Sequence, residues 1–179
     1  LPQCAGPVGA ASSRDRRAEG AMPDRGPKTP PHSRDLRKGR ISEAGRIYHI
    51  RTTTAERQPF FADLHIGREL VHALRFQHER GTVESLAFVV MPDHLHWLIV
   101  LGDGVELRTV MHSVKSFSAQ QINRCIGRTG AVWQDGYFDR ALRAEDDLRA
   151  VARYIVANPL RAGLVTRIGD YPLWDAIWV

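Results

Sequence analysis

The run Val89-Val90-Met91-Pro92-Asp93-His94-Leu95-His96-Trp97-Leu98-Ile99-Val100-Leu101 constrains this chain most. It is apolar nearly throughout and carries one turn signal, Pro92-Asp93, and two imidazoles. On a strand, side chains alternate between faces. His94 and His96 then share a face with Leu98 and Val100, and Leu95, Trp97, Ile99 and Leu101 line the other. A strand apolar on both faces is expected to be covered on both sides. Imidazoles placed there need partners, because unpaired buried polar groups are costly. A divalent metal uses both at once. Two separately hydrogen-bonded core histidines, or a wet strand end, are the alternative accounts.

The surrounding pattern predicts an α+β fold. Residues 46–54, with Ile47, Tyr48, Ile50 and three threonines, read as a strand. Residues from about Phe60 to Arg80 carry an apolar stripe (Leu64, Leu70, Val71, Leu74, Phe76) that suits a helix ending at Gly81. Val83–Met91 and His94–Leu101 read as a hairpin around Pro92-Asp93. Leu107, Val110, Met111, Val114, Phe117 and Ile122 define a second helix to about Cys125. Val132–Leu142 reads as an irregular fourth strand, and Glu145-Asp146-Asp147 as the acidic opening of a third helix. The order β-α-β-β-α-β-α matches a ferredoxin-like split with one added C-terminal helix.

Net charge misleads until it is divided. Residues 1–40 hold 9 Lys/Arg and 4 Asp/Glu, whereas residues 41–179 hold 16 of each, so the whole excess of +5 lies in the first segment. The body is neutral, and any nucleic-acid site in it must be a local patch. Residues 1–40 are rich in Pro, Gly, Ala, Ser and Arg without hydrophobic period, and read as a disordered basic leader; 41–179 reads as the folded domain. No apolar run spans a bilayer and the N-terminal stretch has no hydrophobic signal-peptide core, which predicts a cytoplasmic protein away from the membrane. Two cysteines, Cys4 and Cys125, fit a reducing compartment.

The third helix ends Arg153-Tyr154-Ile155-Val156-Ala157-Asn158-Pro159. Asn158 precedes proline, so the helix is expected to stop there. Tyr154 and Asn158, four apart, lie on nearly one face. Asn158 offers a carbonyl oxygen, a hard ligand suited to Mg²⁺ or Mn²⁺, at a helix end whose partial negative charge favours a cation. A metal on His94, His96 and Asn158 polarises a phosphodiester, and Tyr154 beside it is a nucleophile for phosphorus. The plainer alternatives are a half-buried helix tyrosine and a C-cap asparagine.

Three segments carry a family resemblance: Val90-Met91-Pro92-Asp93-His94-Leu95-His96-Trp97, Val132-Trp133-Gln134-Asp135-Gly136-Tyr137-Phe138-Asp139, and Tyr154-Ile155-Val156-Ala157-Asn158-Pro159-Leu160-Arg161-Ala162-Gly163-Leu164. In this order, over roughly Gly45 to Trp174, the chain resembles the HUH single-tyrosine transposases of the IS200/IS605 type, and within them the REP-associated tyrosine transposases. The resemblance implies a ferredoxin-like fold and a divalent metal on His94 and His96. It implies a tyrosine, Tyr154, that cleaves single-stranded DNA, keeps the 5′-phosphate and releases a 3′-hydroxyl. Asn158 falls where a third, polar ligand is expected, and Tyr137 is the rival nucleophile. The substrate implied is single-stranded, hairpin-forming DNA such as REP-like palindromes, acted on by a monomer or a homodimer. The ending Tyr171-Pro172-Leu173-Trp174-Asp175 follows the family's usual Tyr-Pro-Trp-Ser only loosely.

For DNA contacts the sequence offers Arg140, Arg143, Arg149 and Arg153 near the site, Lys115 in the second helix, Trp133 and Tyr137 to stack on bases or on a hairpin end, and Gln134 as a further candidate. The arginines equally suit a solvated face paired with Glu145, Asp146 and Asp147. Beside the transposase stand two other readings: a catalytically silent hairpin DNA- or RNA-binding protein on the same fold, and a metal-dependent hydrolase of another phosphoester that needs no covalent tyrosine.

Overall fold

A computed structural model describes residues 42–143 and 146–178. The expected leader over residues 1–40 lies outside them. Strands β1 (Ile47–Thr53), β2 (Val83–Met91), β3 (His94–Leu101), β4 (Phe138–Ala141) and β5 (Trp174–Ala176) form one sheet in the order β4-β1-β3-β2-β5. Every neighbouring pair is antiparallel. Helices α1 (Leu64–Glu79) and α2 (Leu107–Cys125) follow β1 and β3, and α3 (Leu148–Val156) follows β4. A single turn, α4 (Asn158–Arg161), follows α3. This is the ferredoxin-like split arrangement, with β5 added at the β2 edge.

The central hairpin follows the sequence reading residue for residue. Met91 pairs with His94 across the two-residue Pro92-Asp93 turn. Leu95, Trp97, Ile99 and Leu101 join Tyr48, Ile50, Leu70, Leu74, Val110 and Met111 in the core under α1 and α2. Leu98 joins Val89, Met91, Ala152, Ile155 and Val156 in a second core beneath α3. The strand is therefore covered on both faces, and the histidines belong to the α3 side.

Four boundaries differ from expectation, each for a local reason. Residues Phe60–Ala62 form a 3₁₀ turn, and α1 begins after Asp63, whose carboxylate accepts from the backbone N–H of His65 and Ile66. The fourth strand is short: upstream of Phe138 the chain makes a single bridge, Thr54 to Trp133, and otherwise runs as loop. Of the acidic run expected to open the third helix, Glu145 lies outside the described residues, and Asp146 and Asp147 do not lie inside the helix. Asp147 caps it, accepting from Ala150 N–H, and Asp146 turns back to the Arg140 guanidinium (3.0 and 3.2 Å) and the Arg143 backbone N–H. The chain also does not leave helix at Asn158. It breaks at Ala157 and resumes for one turn, because Pro159 sits in a first turn, where its missing N–H is not needed.

Strand β5 was not foreseen. It has three residues, too short for periodicity to mark, and pairs Trp174 with Val89 and Ala176 with Ala87. Leu173 packs where a Cβ on Gly67 of α1 would stand, so that glycine gives the segment its seat. The Tyr171 hydroxyl donates to the Val90 carbonyl at 2.6 Å.

Candidate active site

His94 and His96 lie side by side on β3, with ring centroids 5.1 Å apart at 75°. Each spends the same ring nitrogen on a neighbour. His94 Nδ1 is 2.5 Å from Asp93 Oδ1, and His96 Nδ1 is 3.0 Å from Nε2 of His49 on β1. Asp93 is held in turn. Its other carboxylate oxygen accepts from Arg57 (3.0 Å), and its carbonyl accepts from the Thr54 backbone N–H and hydroxyl. Phe61 N–H binds the Pro92 carbonyl at 3.0 Å. The segment after β1 thus clasps the β2–β3 turn and fixes the histidine pair from one end. Arg57 and its neighbour Glu56 have positive φ (54° and 52°), a conformation that non-glycine residues rarely adopt.

The electrostatics favour the neutral form of His96 and of His49. His96 is nearly buried, and its pKa falls to about 3, first through burial and then through the charges of His94, His49, Arg51 and Arg161. Burial lowers His49 too, helped by Arg140 and Arg51. Burial pushes the Asp93 carboxyl up, but its hydrogen bond to His94 and the charges of His94 and Arg57 outweigh it, leaving it below the usual range. Neutral imidazole is the form that binds a metal.

Tyr154 stands on the exposed side of α3, with Ala152, Ile155 and Val156 turned into the core. The Arg161 guanidinium lies over its ring, 3.9 Å from the centroid. Arg161 is also the last of the charges that lower the His96 pKa. Asn158 uses its amide nitrogen on the C-terminal carbonyls of α3, Ile155 (2.7 Å) and Tyr154 (3.3 Å). That is a C-cap role, and it engages the amide nitrogen rather than the carbonyl oxygen.

The expected DNA contacts separate into two groups. Two are corrected by their packing. Trp133 is buried against Phe61, and its indole N–H donates to Ser118 at 3.0 Å; it is a core residue and offers no face for a base to stack on. Lys115 gives its ammonium to the carbonyls of Gln134 and Gly136, both at 2.7 Å, so it ties down a loop rather than waiting for phosphate. Tyr137 packs at the edge of the α1/α2 core, away from the α3 side that carries the histidines. Gln134 and Arg153 are exposed, Arg140 is exposed but paired with Asp146, and Arg143 holds Asp146 through its backbone N–H.

Sequence reasoning missed His49, Arg51 and Arg161. Arg51 lies directly opposite His96 and 5.8 Å from the centre of the Phe138 ring. His49 and Arg51 become visible as site residues once the β1–β3 register is known. Arg161 stood in the matched Asn158-Pro159-Leu160-Arg161 segment without an assigned role.

Among the described residues, no three His, Cys, Asp or Glu side chains form a cluster able to hold a metal. The histidine pair nonetheless fits one as a partial donor set. Both Nδ1 atoms face protein partners, so a metal would meet the pair through Nε2 of each ring. A ligating histidine usually binds a carboxylate, carbonyl or water through its other ring nitrogen in this way.

Residues 44–158 match the family described as transposase IS200 like, and the chain belongs to that family. It is 30% identical over 91 residues to a REP-associated tyrosine transposase of Escherichia coli strain K12, covering 50% of this chain and 52% of that protein. It is 27% identical over 105 residues to a putative REP-associated tyrosine transposase of Haemophilus influenzae, covering 52% and 59%. The matches thus span between half and three-fifths of these relatives. A solved REP-associated tyrosine transposase bound to a REP hairpin shares the fold, with a TM-score of 0.62, 24% identity and coverage of 75% of this chain and 79% of that one. Among the described residues, no helix is long and apolar enough to cross a membrane.

Proposed function

We propose that this protein is a metal-dependent single-strand DNA endonuclease and strand transferase acting on hairpin-flanked DNA, with Tyr154 as nucleophile. One observation carries the reading: His94 and His96 lie side by side with both Nδ1 atoms engaged by neighbours, on the sheet face covered by α3, the helix that bears Tyr154. His94 and His96 would hold the cation through Nε2, with the Asn158 carbonyl oxygen as the further ligand. A cation held there would supply Lewis-acid polarisation of a phosphodiester oxygen. Two imidazoles with oxygen suit Mn²⁺ better than Mg²⁺, which prefers oxygen alone.

The protein's own part is positioning and transfer. The Tyr154 phenol oxygen attacks phosphorus and its proton passes to water. The bond from phosphorus to the 3′-oxygen breaks, and that oxygen takes a proton from water and leaves as a 3′-hydroxyl. The 5′-phosphate remains on Tyr154, and a second strand's 3′-hydroxyl reverses the step. Arg51, opposite His96 on β1, and Arg161, over the Tyr154 ring, supply positive charge, the local patch that a neutral body requires for a phosphate backbone. The fold shared with a relative bound to a REP hairpin supports a hairpin substrate. Incubation of a hairpin-bearing single strand with protein and Mn²⁺ tests the reading. A covalent adduct that Tyr154→Phe abolishes is expected; cleavage with full turnover in Tyr154→Phe overturns it.

A further inference from the structure

His49 takes no part in the sequence motif, yet it makes the closest polar contact of His96. The register pairs Arg51 with His96 and His49 with Leu98, so His49 is the diagonal neighbour of His96 on the same sheet face. The two rings stack at 23° with centroids 5.3 Å apart, and Nε2 of His49 is 3.0 Å from Nδ1 of His96. We propose that His49 is a positioning residue that selects the tautomer of His96, so that Nε2 of His96 is bare and aimed at the cation; this rests on the metal reading of the same site.

Counting protons decides between the two tautomers. One hydrogen lies between the two facing nitrogens. If His49 donated it, neutral His96 would carry its own hydrogen on Nε2, and that nitrogen would have no lone pair for a metal. If His96 donates from Nδ1, its Nε2 is bare, and His49 accepts through Nε2 with its own hydrogen on Nδ1. Ligation permits the second arrangement alone. His94 shows the same logic with a different partner, because an ionised Asp93 carboxylate accepts and never donates. The site therefore holds each ligand from behind, one by a carboxylate and one by an imidazole. Burial makes the partner matter: His96 is 7% exposed, so with His49 removed its Nδ1–H would go unsatisfied.

Two measurements test this on the full chain. In the metal-free wild-type protein, ¹⁵N NMR of the imidazoles is expected to show His96 protonated on Nδ1 and bare on Nε2; a hydrogen on Nε2 overturns the proposal, whatever any variant does. Titration with Mn²⁺ is expected to show His49→Ala binding about 10- to 100-fold more weakly. His49→Gln, whose amide oxygen can accept, is expected to recover most of the affinity. His94→Ala separates this inference from the metal reading beneath it. If it leaves Mn²⁺ affinity unchanged, the metal reading fails and this inference falls with it. If it weakens binding while a His49→Ala protein of unchanged melting temperature binds as wild type, the inference alone is overturned.

Discussion

The Arg161 guanidinium sits 3.9 Å from the ring centroid of Tyr154, although the helix breaks between them at Ala157. The break makes the contact possible. The single turn Asn158–Arg161 carries the arginine back over α3, and the Asn158 amide closes the end of that helix. A cation over an exposed aromatic face contributes roughly 0.5–1 kcal/mol. Arg161→Ala is therefore expected to slow adduct formation by about two- to fivefold through loss of ring placement, and by more if the guanidinium also touches phosphate. Single-turnover rates measure it; an unchanged rate contradicts the role.

Trp133 provides a second prediction. It is buried against Phe61, and its N–H bonds Ser118, whose hydroxyl in turn donates to the Val114 carbonyl. Trp133→Ala is expected to cost about 3–5 kcal/mol of stability. Trp133→Phe is expected to cost about 1–3 kcal/mol, because it strands a buried Ser118 acceptor. Neither change should alter DNA affinity in protein that remains folded. Urea denaturation and an oligonucleotide binding curve check both halves.

Tyr171 makes stability sensitive to alkali. Burial pushes its hydroxyl up to about 12, against 10.0 for a free phenol. Its contribution is thus complete below pH 10, where the unfolded chain begins to ionise, and is lost as pH rises through 12. Tyr171→Phe is expected to flatten the decline in urea midpoint over that window. It should also cost about 1 kcal/mol at pH 7 through the lost bond to Val90.

His96 acts in the opposite direction. Its folded pKa of about 3 lies below the free value of 6.5, so its contribution is present above pH 6.5 and is lost as pH falls toward 3. The unfolded chain takes up the proton first. His49, shifted the same way, steepens the fall. Urea midpoints from pH 7 to pH 4 are expected to drop less in His96→Asn than in wild type.

The elements that sequence reveals best are those with a strong local signal. The β2–β3 hairpin was legible because an apolar run with one turn dipeptide admits few pairings, and α2 because its apolar stripe runs over five turns. Spacing and motif single out Tyr154 and the histidine pair as candidates, and the structure sets His94 beside His96 on β3 and Tyr154 on the exposed side of α3. What stayed hidden depends on register or on distant partners. Nothing local marks Lys115 as a tether for the loop through Gln134 and Gly136, or Trp133 as core rather than stacking surface. Asp146 suits a helix start by composition, yet Arg140 and the Arg143 backbone capture it. His49 reaches the site through a cross-strand diagonal, which no periodicity along β1 displays.

The most direct measurement of the central claim is the chemistry of Tyr154. A hairpin-bearing single strand, labelled separately on either side of the cleavage position, is incubated with protein and Mn²⁺ and resolved under denaturing conditions. The proposal predicts that the label 3′ of the break stays on the protein, that the other fragment carries a free 3′-hydroxyl, and that peptide mapping places the phosphate on Tyr154. A phosphate mapped to Tyr137, or an adduct that persists in Tyr154→Phe, would contradict it.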